Sequence, residues 1–161
     1  MSSYPNFSIC ILNWNGGKHL RECIDSIKAN SYDHKRIIVI DNASTDSSVE
    51  NIDSEVQLIK LDSNYGFATG YNYGLNKMTS EEDEFLILLN FDTIIANDFL
   101  ECLAQSMDQY NFDNIFGVKI FYEDNVYVNE ISKINTPTYY ECYQHSTYVL
   151  FSLSRLKDDL Y

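Results

Sequence analysis

The sequence predicts an α/β fold, a mostly parallel sheet with helices on both faces, and two observations carry that prediction. Short apolar, β-branched runs recur along the chain, and segments whose apolar residues fall at helical spacing lie between them. A third observation locates the chemistry. The first four runs all end on Asn or Asp, and in such sheets ligands bind beyond the carboxyl ends of the strands.

"FSICILN" (7–13) is a buried strand, stopped by Asn15-Gly16-Gly17. From Lys18 the spacing becomes Leu20, Cys23, Ile24, Ile27, one apolar stripe on a helix that ends near Asn30. "RIIVIDN" (36–42) is the second strand, and "ASTDSSVENI" offers Ser44 or Thr45 as the N-cap of a short helix. "VQLIKLD" (56–62) is the third strand, and "GFATGYNYGLNKM" (66–78) a helix with three glycines. "EFLILLN" (84–90) is the fourth strand, followed by a helix through Phe99, Leu100, Leu103 and Met107, and "IFGVKIF" (115–121) is the fifth. Seven of the thirteen tyrosines fall in 122–161, where the alternation fades, so the chain divides into a ligand-binding region over 1–121 and a tyrosine-rich tail within one structural domain. In that tail "VYVNEISKI" is a candidate strand, and "TYVLFSLSRLKDDLY" suits a strand or a helix.

Composition narrows the function. At 161 residues, 45% hydrophobic and 22% charged, the chain forms one globular domain. A net charge of −13 repels nucleic acid and anionic membranes, and an anionic ligand then needs a bridging cation or a local set of backbone N–H donors. No apolar stretch approaches the ~20 residues of a membrane span, and Cys10, Cys23, Cys102 and Cys142 are widely spaced, which suits free thiols. The expectation is a cytoplasmic protein, with peripheral membrane association left open.

Four polar strand ends form the candidate site: Asn13-Trp14-Asn15, Asp41-Asn42, Asp62-Ser63-Asn64 and Asn90-Phe91-Asp92. Singly, each Asn or Asp suits a turn or cap. Asp41 is placed either to meet a nucleobase or ribose or to cap the turn after it, and Asp92 either to ligate a divalent cation or to begin a turn. Gly66, Gly70 and Gly74, four residues apart and followed by no phosphate-gripping Lys, suit either close backbone approach to a ligand or close helix packing on the sheet.

"CILNWNGG", "VIDNASTDSS", "NYGFATGYNYG" and "LLNFDT", in this order, resemble the nucleotide-sugar-binding half of family 2 glycosyltransferases of the Rossmann-like GT-A fold, especially the rhamnosyltransferase-like branch, over roughly 6–121. The resemblance implies that Asn13 and Asn15 line the nucleotide pocket and that Asp41 meets the base. It implies that Asn64, Gly66, Phe67 and Asn72 shape the base and ribose site. Asn90-Phe91-Asp92 takes the place of the family's D-x-D motif, so that Asn90 faces the nucleotide and Asp92 binds Mg or Mn on the donor diphosphate. The implied reaction is metal-dependent, inverting sugar transfer from a UDP or dTDP sugar to a glycan or lipid-linked acceptor, in polysaccharide assembly.

Two departures stand out. Phe91 occupies the position where relatives mostly carry Pro, which frees one N–H and adds an aromatic face. The family's acceptor half, with its catalytic base, lies downstream of the region where this chain stops, and Glu123, Asp124, Glu130 and Glu141 are weak substitutes, so the catalytic base is left unassigned. The alternative is a nucleotide-sugar-binding module without transfer activity, or a subunit completed by another chain, with the tail as a homo-oligomer interface. A receiver-type domain ranks last, because Lys119 lies inside the fifth strand rather than after it.

Overall fold

The computed structural model describes residues 5–78, 85–109, 115–118, 131–134 and 149–152. They form one seven-stranded sheet. In chain order the elements are β1 (Phe7–Asn13), α1 (Gly17–Ala29), β2 (Lys35–Asp41), β3 (Val56–Lys60), α2 (Phe67–Asn76), β4 (Phe85–Asn90), α3 (Phe99–Gln109), β5 (Ile115–Val118), β6 (Ile131–Ile134) and β7 (Val149–Ser152). Across the sheet the order is β3-β2-β1-β4-β7-β5-β6.

β1 lies between β2 and β4, parallel to both, and all seven of its residues are buried. That explains why it is written as a continuous apolar run rather than an alternating one. Phe7, Ile9 and Ile11 point into a core shared with Leu20, Cys23, Ile24 and Ile27 of α1 and with Phe99, Leu100, Leu103 and Met107 of α3. Cys10 and Leu12 point the other way, into a smaller core with Ile38, Ile40 and Tyr71 of α2. Helices cover both faces, as the sequence predicts.

Two of the three glycines in 66–74 serve packing. A Cβ on Gly74 would lie 2.4 Å from Ile40 Cδ1, and one on Gly70 would lie 3.1 Å from Asn42 Nδ2, so α2 sits directly on β2. Gly66 differs: it precedes α2 at φ +75°, and a Cβ there would meet nothing within 4 Å, so backbone conformation is what requires glycine.

The short helix expected after Ser44 or Thr45 is absent, and turns and bends occupy that segment. Its amides bond side chains instead: Ser44 N–H donates to Asp41 Oδ1, Thr45 and Asp46 N–H to Asn15 Oδ1, and Ser48 N–H to Asp46 Oδ1.

The tail contributes strands to the same sheet. β7 pairs antiparallel with β4 and with β5, which leaves β5 running in the direction of β4, and β6 pairs antiparallel at the far edge. For 149–152 the structure selects strand over helix. Glu123, Asp124, Glu130, Glu141 and Cys142 lie outside the described residues, as does the boundary at 121/122. Among the described residues Cys10, Cys23 and Cys102 form no disulfide, and no helix is long and apolar enough to cross a membrane.

Candidate functional site

The parallel ladder sets Asn13 beside Asp41 and Leu12 beside Asn90, so the ends of β1, β2 and β4 open on one edge of the sheet. Asn13 is fully buried at its centre. Its Nδ2 donates to Ser44 Oγ at 2.9 Å and Ser48 Oγ at 3.0 Å, and faces Asp41 Oδ1 at 3.4 Å. The amide cannot be reversed without loss, because Ser48 gives its own proton to Asp46 Oδ1 and Asp41 offers only acceptor oxygens. Asn13 Oδ1 therefore points the other way, buried and, among the described residues, without a hydrogen-bond partner. A Cβ on Gly16 would lie 2.4 Å from that oxygen and 2.9 Å from the Phe91 ring, so glycine leaves room for it and Phe91 flanks the same space.

Asn15 is exposed at φ +53°, with Oδ1 accepting from Thr45 N–H at 2.7 Å and its own N–H donating to Ser44 Oγ at 3.0 Å. It ties the loop after β1 to the loop after β2. Asp46 makes the return contact, since its Oδ2 accepts from Gly17 N–H at 3.0 Å at the start of α1, where a helix has unpaired N–H groups. The Ser48 hydroxyl first, then the Ser48 and Gly17 amides, hold the Asp46 carboxyl below the usual carboxylate range.

Asn42, named among the strand ends but given no role of its own there, is buried. Its N–H donates to the Asn13 carbonyl, its Nδ2 donates to Asn64 Oδ1 and the Gly66 carbonyl, and its Oδ1 accepts from Tyr65 N–H. It fixes the 64–66 loop. The one available signal was its place directly after a buried strand. Asn64 Oδ1 is thus committed within the loop, accepting also from Gly66 N–H. Phe67, 57% exposed, meets Tyr71 edge-on, and Asn72 is exposed on α2. Beside them Tyr65 donates to Asp62 Oδ1 at 2.6 Å, which lowers the Asp62 pKa and raises that of Tyr65.

Asn90 and Thr93 close a turn, Thr93 N–H donating to the Asn90 carbonyl, and Asp92 is exposed within it. The thiol of Cys23, on α1 beneath, also donates to the Asn90 carbonyl at 3.7 Å. Burial, above all, pushes this thiol up to about 12, with the nearby Asp92 charge adding to the rise. Among the described residues no three His, Cys, Asp or Glu side chains form a group that could hold a metal ion.

The sequence matches the Glycosyl transferase family 2 model over residues 8–154. The chain belongs to that family. This family 2 chain is 26% identical over 124 residues to the glycosyltransferase GlyG of Streptococcus pneumoniae serotype 4, a match covering 73% of the chain and 40% of the relative. It is 35% identical over 103 residues to an uncharacterized glycosyltransferase of Haemophilus influenzae, covering 60% of the chain and 40% of the relative. Across the curated relatives the matches span 15 to 40% of the relative's length.

Among solved structures, S. aureus TarS 1-349 superposes with a TM-score of 0.75 at 19% identity, over 96% of this chain and 49% of that one. TarS 1-349 in complex with UDP-GlcNAc gives 0.65 at 19% identity, over 78% of this chain and 37% of that one. The mannosyltransferase PcManGT of Pyrobaculum calidifontis, in complex with GDP-Man and Mn2+, gives 0.58 at 20% identity, over 71% and 35%. At these identities the likeness is one of fold, and the family 2 chain has the Rossmann-like GT-A architecture that its motifs imply.

Proposed function

We propose that the chain carries the donor half of a glycosyltransferase, binding a nucleotide-diphosphate sugar across the ends of β1, β2 and β4 for transfer to an acceptor hydroxyl. One observation carries this reading: the strand ends Asn13, Asp41 and Asn90-Phe91-Asp92, distant in sequence, lie side by side on one edge of the parallel sheet. The complexes of UDP-GlcNAc and of GDP-Man with proteins of this fold support it.

In the proposal Asp41 meets the base, within a pocket that Asn13 and Asn15 border, and the loop set by Asn42 and Asn64 carries Gly66, Phe67 and Asn72 along the base and ribose. The unpartnered Asn13 oxygen supports the presence of a polar ligand, because a buried acceptor left without a donor costs about 1–3 kcal/mol. Asp92 holds Mg or Mn, a fit supported by its exposed carboxylate, since Mg is commonly held by one or two carboxylates together with substrate phosphates. When bound there, the cation neutralises the diphosphate of a donor that a chain of net charge −13 would otherwise repel, and it stabilises the departing nucleoside diphosphate. The wider reading includes UDP or dTDP donors, inversion at the sugar, a glycan or lipid-linked acceptor in polysaccharide assembly, self-association through 122–161, and action in the cytoplasm or at the membrane surface.

Calorimetric titration with UDP and dTDP, with and without Mn2+, on the wild type and Asp92→Ala tests the donor site. Binding that strengthens with Mn2+ only when Asp92 is present supports it. No binding, or binding indifferent to both metal and Asp92, overturns it. Transfer is assayed separately with UDP and dTDP sugars, and metal-dependent binding with neither transfer nor hydrolysis selects the binding-module alternative.

A further inference from the structure

One face of α1 grips the backbone on both sides of the turn that displays Asp92. Cys23 and Ser26 of α1 and Asn30, the cap at its C-terminal end, lie three and four residues apart, a spacing that turns them to the same side. The Cys23 thiol donates to the Asn90 carbonyl at 3.7 Å, before the turn. After it, Ser26 Oγ accepts from Ile95 N–H at 3.2 Å, and Asn30 Nδ2 donates to the Ala96 carbonyl at 3.0 Å. Ser26 gives its own proton to the Cys23 carbonyl at 2.7 Å, which turns its lone pairs toward Ile95. At the head of the helix, Gly16 approaches the Phe91 ring closely enough that a Cβ would lie 2.9 Å from it.

Apolar packing alone would hold the 90–96 segment down on α1 without fixing its rotation or its register along the helix. Three directional bonds, to one carbonyl, one amide and a second carbonyl, do fix them. The same helix receives Asp46 at its first amide, so its position is set in turn by the loop after β2.

We infer that Cys23, Ser26 and Asn30 are positioning residues for Asp92, setting where its carboxylate stands relative to Asn13 and Asp41. The inference rests on the donor-site reading above. It assigns these side chains no contact with ligand: they act through the backbone of 90–96.

Two measurements on Ser26→Ala and Ser26→Thr test it. Amide hydrogen exchange needs no ligand, and Ser26→Ala accelerates exchange at Ile95 by on the order of fivefold, the worth of one hydrogen bond, while β1 and β2 amides keep their protection. Ser26→Thr, which retains the hydroxyl, restores the wild-type rate. In UDP titrations the gain in affinity on adding Mn2+ falls by a similar factor in Ser26→Ala and recovers in Ser26→Thr, with metal-free binding unchanged. A purely structural role would lower all binding together. Unchanged exchange at Ile95, or faster exchange with the Mn2+ gain intact, overturns the inference. A wild-type chain whose UDP binding ignores Mn2+ removes the donor-site reading itself, and that outcome is seen before any variant is compared.

Discussion

The Tyr71 hydroxyl lies 2.6 Å from the Leu89 carbonyl and 3.3 Å from the Leu12 amide, bridging β1 and β4 one residue before Asn13 and Asn90. The ring is buried and reaches the seam from α2, and burial raises its pKa far above the ordinary phenol value. Tyr71→Phe leaves these backbone groups without the hydroxyl, at a cost of about 1–3 kcal/mol. Urea unfolding reads that loss, and it is accompanied by weaker UDP binding because both strand ends sit next to the vacated position.

Cys23 makes stability pH-dependent on the alkaline side. Its thiol titrates at about 12 when folded, raised from 9.0 chiefly by burial. Above pH 9 the unfolded chain loses this proton while the folded chain keeps it, so stability falls as pH rises, by up to about 1.4 kcal/mol per pH unit. The contribution is fully present below pH 9 and is lost as pH climbs toward 12. Subtracting the denaturation profile of Cys23→Ser from that of the wild type isolates this slope, and a difference flat between pH 8 and 11 would refute the assignment.

Ala43, directly after Asn42, has φ +59°, where its Cβ crowds the backbone. Ala43→Gly relieves that strain, and despite the greater freedom glycine gives the unfolded chain it raises stability by about 0.5–1 kcal/mol. Ala43→Val, branched at the same position, lowers it. Denaturation midpoints of the two variants should bracket the wild type.

Gly74→Ala tests how α2 meets the sheet. In an exposed helix this change gains about 1 kcal/mol. Here the new methyl falls on the Ile40 side chain, so overpacking dominates and the variant loses about 1–3 kcal/mol. Gly74→Ala with Ile40→Val recovers part of the loss. Gly66→Ala meets no such neighbour, but at φ +75° and ψ −167° the backbone itself resists a Cβ, so it costs about 1–3 kcal/mol that no change at Ile40 recovers.

How far the sequence carries depends on whether a feature is local. β1, β2 and β4 were legible because burial on both faces writes them as apolar runs, and α1 because Leu20, Cys23, Ile24 and Ile27 repeat at helical spacing. The segment over 43–51 misled because Ser44, Thr45 and Asp46 suit a helix start as well as a turn, and the deciding partner, Asn15, is about thirty residues away. The glycines of α2 stayed ambiguous until Ile40 lay beneath them. Asn42 followed the more conspicuous Asp41, and its bonds run to a loop that no periodicity links to it. The grip of α1 on 90–96 was hidden for the same reason: Cys23 reads as a core thiol, and its polar partner comes from β4.

The placement of β7 between β4 and β5 has a consequence for how the chain is made. The strands of the parallel half, β1 to β4, are complete by Asn90, but one edge of β4 is paired only when Val149 to Ser152 arrive. At about 5–20 residues per second, the roughly 60 residues in between take about 3 to 12 seconds to synthesise. For that interval the nascent chain carries an unpaired, strongly apolar strand edge of the kind that recruits other chains. Slower translation through 91–148 lengthens the exposure, so the yield of soluble protein should depend on codon speed in that stretch.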